Sequence, residues 1–217
     1  MKRLPQETDR DGAVAAMDVS RETLSRLDAL AAALGRWQRI KNLVAPATVE
    51  QVWSRHILDS WQLLKHAPTQ GPWLDLGSGG GFPGLVVAIG RTETGDGQTI
   101  LVESNGRKCA FLRQMIHDLG LNAEVIEDRI EAALSGWSRP VRTVSARALA
   151  PLDTLLGWTH TLLRNGAVGI FPKGQDVERE LAVASTSWRF DAKVHPSISD
   201  RSGRVLVVTM APDQEVS

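Results

Sequence analysis

The chain has 217 residues, of which 42% are hydrophobic, and this length is enough for one sizeable domain with a modest extension. Its 25 Lys and Arg residues balance 25 Asp and Glu residues, so the global charge favours neither a nucleic-acid nor a membrane partner, and any nucleic-acid surface must be local. A single cysteine, Cys109, excludes an internal disulfide framework and a cysteine-based zinc site. No apolar run is long enough to span a bilayer, and we expect a soluble, cytoplasmic protein.

The first part of the chain is predicted to be a polar tail followed by helices. Residues 1 to about 17 are polar, and we expect them to be disordered or weakly ordered. From Ser20 onward apolar residues recur at helical spacing, and Ser20 itself can cap this helix. A second helix follows Pro46, where Thr48 and Gln51 form a capping-box pair. The segments WQRIKNLV, between these helices, and RHILDS, within the second, are too polar to be pure core.

Residues 72–84, PWLDLGSGGGFPG, lead from an apolar run through a glycine cluster into a helical pattern. This order predicts a strand, a tight turn and the start of a helix. Glycine lets the backbone approach a ligand closely, and the helix start directs its unpaired N–H groups at the same place. We therefore interpret the segment as a turn that binds a nucleotide-like ligand.

Two kinds of nucleotide-binding turn fit this segment. Residues 79–84 satisfy the pattern G-x-G-x-x-G of dinucleotide folds, and Glu103 follows at about the distance of an acid that binds ribose hydroxyls. Asp75, Gly77 and Gly79 equally match the D-x-G-x-G turn of S-adenosylmethionine (SAM) methyltransferases, with Glu103 again at the ribose. The rest of the chain must decide between these ligands.

After Pro72 the pattern alternates between strands and helices, which implies a parallel sheet covered on both faces with its ligand at the carboxyl ends of the strands. Two further strand-like runs, 188–196 and 204–210, have no room for a helix between them and should pair as an antiparallel hairpin. Such an ending resembles the class I, Rossmann-like SAM-dependent methyltransferase sheet and favours SAM. We predict strands at about 72–76, 99–103, 122–126, 141–146 and 167–171, and helices at about 83–90, 107–119, 129–135, 151–164 and 175–186.

We expect this α/β sheet to be mostly parallel with a C-terminal antiparallel strand, and to be preceded by an N-terminal helical extension. The predicted boundaries are residues 1–68 for the disordered tail and helical extension, and residues 69–217 for the methyltransferase domain.

Charged residues at the predicted strand ends are the first candidates for the site. The Asp75 carboxylate can hold the turn by accepting backbone N–H bonds and can face the cationic end of the cofactor. Glu103 can accept hydrogen bonds from both ribose hydroxyls. Arg147 would lie beside the cofactor, or else pair with a neighbouring acid such as Asp153. Lys173, at the end of the fifth strand, is the candidate for a phosphate or base contact.

Three further groups of residues bear on the predicted site. Ile130 and Glu131 follow the third strand and would flank an adenine ring. The histidines lack metal-ligand spacing, so we expect no metal, and a surface or structural position for each histidine. An aromatic side chain set among basic residues, such as Trp37, is typical of RNA contacts. The predicted RNA-binding residues are Arg36, Arg39, Lys41, Arg55 and Lys173.

Taken in order, the segments WQRIKNLV, RHILDS, DLGSGGGFPG, ES with KCAFLRQ, VSARALAPL and FPKGQ resemble the bacterial ribosomal small-subunit methyltransferase G family, also called GidB. The resemblance spans roughly residues 36–210. It implies SAM-dependent methylation of N7 of a guanine in small-subunit (16S) ribosomal RNA, either as RNA or in an assembling 30S particle. We expect the enzyme to be a monomer. Two departures are that the family's WNK reads WQR here and that the turn carries an extra glycine, Gly80.

By position, the resemblance implies that Gly77 and Phe82 contact the cofactor, that Ile130 and Glu131 flank its adenine, and that Arg147 lies at the methyl-donor end. We predict catalytic roles for Arg147 and Lys173. The predicted cofactor-binding residues are Asp75, Gly77, Gly79, Phe82, Glu103, Ile130, Glu131 and Arg147.

Guanine N7 carries an available lone pair, so its attack on a sulfonium methyl group needs no general base. The lack of a convincing catalytic His or Cys is therefore weak evidence against this reaction.

Three alternatives to this function stay open. They are a SAM methyltransferase acting on a protein or small molecule, a nicotinamide-dependent oxidoreductase that uses the glycines at 79–84, and a non-catalytic SAM-binding partner of RNA.

Overall fold

The computed structural model describes residues 5–38, 43–95 and 97–210, and its centre is a seven-stranded sheet. The strands are β1 (Trp73–Leu76), β2 (Thr99–Glu103), β3 (Ala123–Glu127), β4 (Thr143–Ala146), β5 (Val168–Lys173), β6 (Asp191–Pro196) and β7 (Arg204–Thr209). Their order is β3-β2-β1-β4-β5-β7-β6. β1 to β5 pair in parallel, whereas β7 runs antiparallel to β5 and β6. This confirms the predicted α/β class, a mostly parallel sheet that ends in an antiparallel hairpin.

Helices cover both faces of the sheet. In β2, Ile100 and Val102 pack in one hydrophobic cluster and Leu101, between them, packs in another, as alternation along a strand requires. The helices are α1 (Pro5–Ala15), α2 (Arg21–Gln38), α3 (Asp59–Trp61), α4 (Gly84–Arg91), α5 (Gly106–Asp118), α6 (Ile130–Leu134), α7 (Leu152–Arg164) and α8 (Val177–Ala184). The cluster around Leu101 contains residues of α2, α4 and α5, and the other contains residues of α6, α7 and α8.

The predicted disordered tail is corrected by the structure, because residues 5–15 form α1. This helix is polar in composition, and its contacts with the rest of the chain hold it in place. The Asp9 carboxylate accepts hydrogen bonds from the backbone N–H groups of Trp53 (2.9 Å) and Ser54 (3.2 Å). Arg10 donates two hydrogen bonds of 2.7 Å to Asp28 and lies over the ring of Trp53. Ala13 is buried on the same side.

The second predicted helix is present but irregular, and the predicted capping box at its start is wrong. Pro46–Gln51 form a 3-10 turn and Trp53–Leu58 a π-helical turn, followed by α3 and a second 3-10 turn, Gln62–His66. The Thr48 hydroxyl donates to the Ala45 carbonyl oxygen instead of capping a helix. We call residues 46–66 the irregular helical segment.

Helix α2 runs antiparallel to α4 and reaches the edge of the sheet where the glycine turn lies. Its start, capped by the predicted Ser20, contacts Glu93 just after α4, and the Thr23 hydroxyl donates to Glu93 over 2.5 Å. At its other end, the Gln38 side-chain oxygen accepts the backbone N–H of Leu43 (2.8 Å). The helical extension and the sheet thus share one hydrophobic cluster, and the division after residue 68 stays a prediction.

None of the helices that the structure describes is long and apolar enough to cross a membrane.

Replacing Asp9 by alanine should lower the free energy of unfolding by about 1–2 kcal/mol, because two N–H groups at the start of the π-helical turn lose their acceptor. Urea denaturation measures this change. Glu50→Ala, which removes an exposed carboxylate from the neighbouring 3-10 turn, should change the free energy by less than about 0.5 kcal/mol. Equal effects of the two substitutions would contradict the docking of α1 through Asp9.

Candidate functional site

The carboxyl ends of the central parallel strands bring the predicted site residues to one edge of the sheet. In the register of β1, Leu76 lies beside Val102 of β2 and Ala146 of β4. The residues that end or follow these strands, Gly77, Glu103 and Arg147, therefore stand at neighbouring positions. The strand order reverses between β1 and β4. Open α/β sheets bind their ligands at such a reversal, outside the carboxyl ends of the strands.

Asp75 is fully buried beneath the glycine turn and joins three elements. One carboxylate oxygen accepts the backbone N–H of Gly84 at the start of α4 (3.0 Å), and the other accepts the Ser145 hydroxyl of β4 (2.6 Å). Ser145 in turn accepts the indole N–H of Trp73 (2.8 Å). Burial raises the pKa of Asp75 to about 6, although its hydrogen bonds and the charge of Arg147 partly offset this effect. The predicted turn-holding role of Asp75 is therefore present in the geometry.

Glu103 holds the turn from the end of β2. One of its carboxylate oxygens accepts the backbone N–H of Gly79 (2.9 Å), and the other accepts the N–H of Asn105 (2.8 Å). Asn105 itself caps α5 by accepting the N–H of Arg107 (3.0 Å). An ionised carboxylate has further lone pairs beyond these two bonds, so Glu103 can still accept hydroxyl groups of a ligand.

The glycine turn has one uncrowded position and several crowded ones. At Gly79, which has a φ of +57°, the nearest atom to a Cβ would be the Gly77 carbonyl oxygen at 3.8 Å, an ordinary van der Waals distance, so this position is not crowded. At Gly80 a Cβ would lie 3.1 Å from the carbonyl oxygen of Leu43 and from a methyl group of Val44. The extra glycine therefore allows the chain after α2 to pack on the turn. The uncrowded backbone at Gly79, next to the Glu103 carboxylate, fits an adenosyl ligand.

Arg147 turns toward the irregular helical segment. The acid paired with Arg147 is Asp59, whereas the alternative partner Asp153 accepts the indole N–H of Trp188 (2.9 Å). One guanidinium nitrogen of Arg147 donates to the Arg55 carbonyl oxygen (3.0 Å) and lies 3.3 Å from an Asp59 carboxylate oxygen. The other nitrogen lies 2.9 Å from Nδ1 of His56.

Phe82 joins the glycine turn to this arginine. The ring of Phe82 is buried, and the Arg147 guanidinium lies 5.6 Å from its centroid. On the same ring packs the imidazole of His56, with centroids 5.0 Å apart. Burial, together with the charges of Arg147 and Arg55, lowers the pKa of His56 to about 4.

Next to Arg147 opens a cavity of about 870 Å³. Its walls come from the irregular helical segment, the loop after β4, the end of β5, helix α8 and the turn between β6 and β7. That turn is fastened to the irregular helical segment, because Arg55 pairs with Asp200 (2.5 Å) and Asp59 accepts the Ser199 hydroxyl (2.7 Å). The cavity thus lies on the β4 and β5 side of the site, opposite the glycine turn.

The loop after β4 separates the glycine turn from the cavity. Ala148 has a φ of +50°, a left-handed conformation that costs free energy in a residue with a side chain. The next side chain, Leu149, packs so closely on Gly77 that a Cβ there would lie 2.6 Å from a Leu149 methyl group. The strained backbone at Ala148 therefore directs the two side chains on either side of it, Arg147 and Leu149, to different neighbours.

Lys173 lines the cavity but is itself held in a buried ion pair. Its ammonium donates to Glu180 (2.6 Å) and to the Ala150 carbonyl oxygen (3.0 Å), and its side chain is 7% exposed. Glu180 also accepts the N–H of Leu152 at the start of α7 (2.7 Å). Lys173 therefore fixes the loop after β4, and its charge is directed to Glu180 instead of to solvent.

The remaining predicted residues are placed as follows. Ile130 and Glu131 begin α6, after β3, with Ile130 buried and Glu131 exposed. Arg36 is exposed in the last turn of α2, at the end of that helix nearer the glycine turn. Arg55 is at the cavity. Two members of the predicted RNA-binding set, Arg39 and Lys41, lie outside the described residues.

The sequence interpretation missed His56 and Asp59. Both lie in the segment RHILDS of the second predicted helix, which was expected to be too polar to be pure core. His56 was expected at a surface or structural position, because histidines without metal-ligand spacing form no recognisable motif. The polar run RHILDS is the signal that was present, since both residues that contact Arg147 lie within it.

Known proteins are similar to this chain over most of its length. The family model described as rRNA small subunit methyltransferase G, GidB, matches residues 23–206. A protein named ribosomal RNA small subunit methyltransferase G from Methylobacterium nodulans is 48% identical over 208 residues, which is 95% of this chain and 98% of the relative. The protein of the same name from Methylobacterium radiotolerans is 50% identical over 203 residues, 94% of this chain and 95% of the relative.

Solved structures with lower identity share the fold. The cofactor-bound Rv0187 from MTB gives a TM-score of 0.61 at 15% identity, and covers 96% of this chain and 99% of that one. The SAH-bound methyltransferase PaMTH1 of Podospora anserina gives 0.56 at 14% identity, with 90% and 98% covered. An rRNA methylase from Streptococcus thermophilus gives 0.53 at 16% identity, with 72% and 96% covered.

Asp75 and His56 should give opposite pH dependences of stability. The raised pKa of Asp75 means that the folded state binds the extra proton, so this contribution to stability is lost as the pH rises through about 6. The lowered pKa of His56 means that the unfolded state binds the extra proton between about pH 4 and 6.5, so stability there rises with pH. In the wild type the two effects largely cancel.

Asp75→Asn should uncover the His56 effect. Between pH 4 and 7 the free energy of unfolding of this variant should rise by roughly 2–3 kcal/mol relative to the wild type, because the Asp75 titration is removed. Urea denaturation across this pH range measures the difference. Glu178→Gln, at an exposed carboxylate of α8, is the control and should stay parallel to the wild type. A constant offset between Asp75→Asn and the wild type would contradict the raised pKa.

Proposed function

The chain belongs to the rRNA small subunit methyltransferase G family, and we propose on this basis that it transfers the methyl group of SAM to N7 of a guanine in small-subunit ribosomal RNA. The observation that carries this proposal at the level of the site is the strand register. It places the glycine turn, Glu103 and Arg147 at adjacent strand ends, with the cavity beside them. A donor site and an acceptor site can therefore meet at Arg147.

The donor side is formed by β1, β2 and the start of α6. Glu103 would accept the ribose hydroxyls of SAM with its remaining lone pairs, next to the uncrowded backbone at Gly79. Ile130 and Glu131, after β3, would flank the adenine on the far side of Glu103. Bound SAM supplies an electrophilic methyl group on a sulfonium centre. Asp75 would support this side from below, because its carboxylate accepts the N–H of Gly84 and the hydroxyl of Ser145 in β4.

The acceptor side is the cavity next to β4 and β5. Its volume of about 870 Å³ lies within the range of roughly 300–1,000 Å³ that is common for ligand pockets. The loop that separates it from the glycine turn carries Arg147 at the boundary. A guanine base placed in this cavity would direct N7 toward the donor side.

These residues would contribute to methyl transfer by positioning the donor and the acceptor. N7 attacks with its own lone pair, so no side chain has to remove a proton, and the positive charge passes to the guanine ring. Arg147 would position the reacting groups from its place over Phe82. Lys173 would act through the loop after β4, since it bonds to Ala150 and to Glu180, and Glu180 holds Leu152.

The RNA surface would include the exposed arginines on the site side of the molecule. Arg36 lies in the last turn of α2, and Arg55 and Arg179 line the cavity. Phosphate groups of a structured RNA that enters the cavity would meet these side chains. An assembling 30S particle contains the same RNA and is the second candidate substrate. We propose that the enzyme acts on it as a cytoplasmic monomer.

Purified protein should methylate small-subunit ribosomal RNA, and mass spectrometry of the digested RNA should detect N7-methylguanosine. Arg147→Ala should lower the turnover number by about 10²-fold, because the reacting groups lose their alignment. Arg107→Ala, on the exposed start of α5, is the matched control and should retain wild-type turnover.

The same RNA taken from cells that lack the protein should lack this modified nucleoside, and RNA from cells that contain it should carry it. Methylation of an added protein or small molecule in preference to the RNA would contradict the proposed substrate, and so would an unchanged level of N7-methylguanosine in the two cell types.

Arg36→Ala and Arg179→Ala should each weaken binding of small-subunit ribosomal RNA and reduce the dependence of the affinity on salt, by about one released counterion per lost phosphate contact. Filter binding between low and moderate salt measures the slope. Arg21→Ala is the control, because the start of α2 lies near Glu93, at the opposite edge of the sheet. If all three variants had the wild-type slope, the arginine surface would be assigned incorrectly.

A further inference from the structure

His56 is a buried group that the chemistry above does not use. It lies in the π-helical turn, is 7% exposed, and lines the cavity. Its ring packs on Phe82 of the glycine turn and its Nδ1 meets Arg147. It therefore contacts both the donor side and the residue that stands between donor and acceptor.

The hydrogen bonds of His56 fix which ring nitrogen carries the proton. A guanidinium only donates, so Nδ1 of His56 must accept from Nη2 of Arg147 over their 2.9 Å. The Thr48 hydroxyl donates to the Ala45 carbonyl oxygen over 2.8 Å, and its oxygen is left to accept the Nε2–H of His56, also at 2.8 Å. The direction of donation thus runs from Arg147 through His56 and Thr48 to Ala45. Only the neutral ring completes it.

The charged groups around the ring favour this neutral form. Arg55, on the same turn, and Arg147, from the loop after β4, are the cations that face it. The acids nearby are engaged with these arginines: Asp59 lies 3.3 Å from Arg147, and Asp200 of the β6–β7 turn lies 2.5 Å from Arg55. A proton on Nδ1 would add a third positive charge and would remove the acceptor of Arg147.

We propose that neutral His56 is a positioning residue for methyl transfer, an inference that rests on the proposed function. Its Nδ1 holds the Arg147 guanidinium across Phe82, at the boundary between glycine turn and cavity. A neutral acceptor orients the guanidinium without neutralising its charge, whereas a carboxylate would do both. Asp59 makes only the longer contact, and its other oxygen accepts Ser199. Arg147 is therefore oriented by two side chains, of which only Asp59 carries a charge.

A pair of substitutions separates the acceptor from the ring. His56→Phe keeps an aromatic ring against Phe82 but removes the acceptor, and His56→Asn offers an amide oxygen near the position of Nδ1. With saturating SAM and small-subunit ribosomal RNA, the turnover number should fall about 10- to 100-fold in His56→Phe and only slightly in His56→Asn. The Kd for S-adenosylhomocysteine should match the wild type in both. Equal turnover in the two variants would overturn the proposal.

Thr48 gives a second pair that leaves His56 in place. Thr48→Val removes the oxygen that accepts Nε2–H, so the ring loses its anchor on the side away from Arg147 and turnover should fall, whereas Thr48→Ser should restore it. Nitrogen NMR of the histidines should find His56 neutral, with its proton on Nε2, at pH 6. A proton on Nδ1 at that pH would overturn the proposal whatever the activity of the variants.

The outcomes distinguish this inference from the proposed function. A wild-type protein that binds S-adenosylhomocysteine but does not methylate the RNA overturns the proposed function, and the role of His56 falls with it. A wild type that methylates the RNA, together with a fully active His56→Phe, overturns the role of His56 alone. An NMR titration in which His56 itself protonates near pH 6.5 also contradicts it, because the surroundings of the ring lower its pKa to about 4.

Discussion

The buried carboxylate of Asp75 is the constraint on which the site depends. It ties the start of α4 to β4 through the N–H of Gly84 and the hydroxyl of Ser145, and it does so from within β1. Burying a carboxylate away from solvent costs free energy, and for this reason the pKa of Asp75 is raised. The hydrogen bonds from Gly84 and Ser145 offset part of this cost. Because Asp75 fixes the turn from below, Glu103 can hold the same turn from the side and keep lone pairs for a ligand. The alignment of strand ends follows from these two acids.

The chain before the sheet completes the site. The irregular helical segment brings His56 and Asp59 to Arg147, and its π-helical turn is a departure from α-helical geometry that is often found at functional positions. The hairpin turn after β6 is bonded to the same segment through Asp200 and Ser199, so the cavity has walls from both ends of the sequence. Asp9 of α1 holds the start of the π-helical turn. The N-terminal extension is therefore a structural part of the acceptor side.

The sequence predicted the sheet well because its signals are local. Apolar runs bounded by glycine and proline placed the five parallel strands within about two residues and the first strand of the hairpin within about three, and the missing helix between the last two strands predicted their antiparallel pairing. The sequence did not predict α1, whose order comes from the distant partners of Asp9 and Arg10. The partners of Arg147 were missed for the same reason, since His56 is some ninety residues away along the chain. Contacts between distant side chains leave no periodic pattern to read.

The central claim is that the ends of β1, β2 and β3 form a SAM site beside an acceptor cavity. The most direct measurement is calorimetric titration of the protein with S-adenosylhomocysteine, in parallel with NADH. We expect saturable binding of S-adenosylhomocysteine at one site, loss of that binding in Glu103→Ala, and no heat with NADH. A wild-type protein that does not bind S-adenosylhomocysteine, or a Glu103→Ala variant that binds it as tightly as the wild type, would contradict the account.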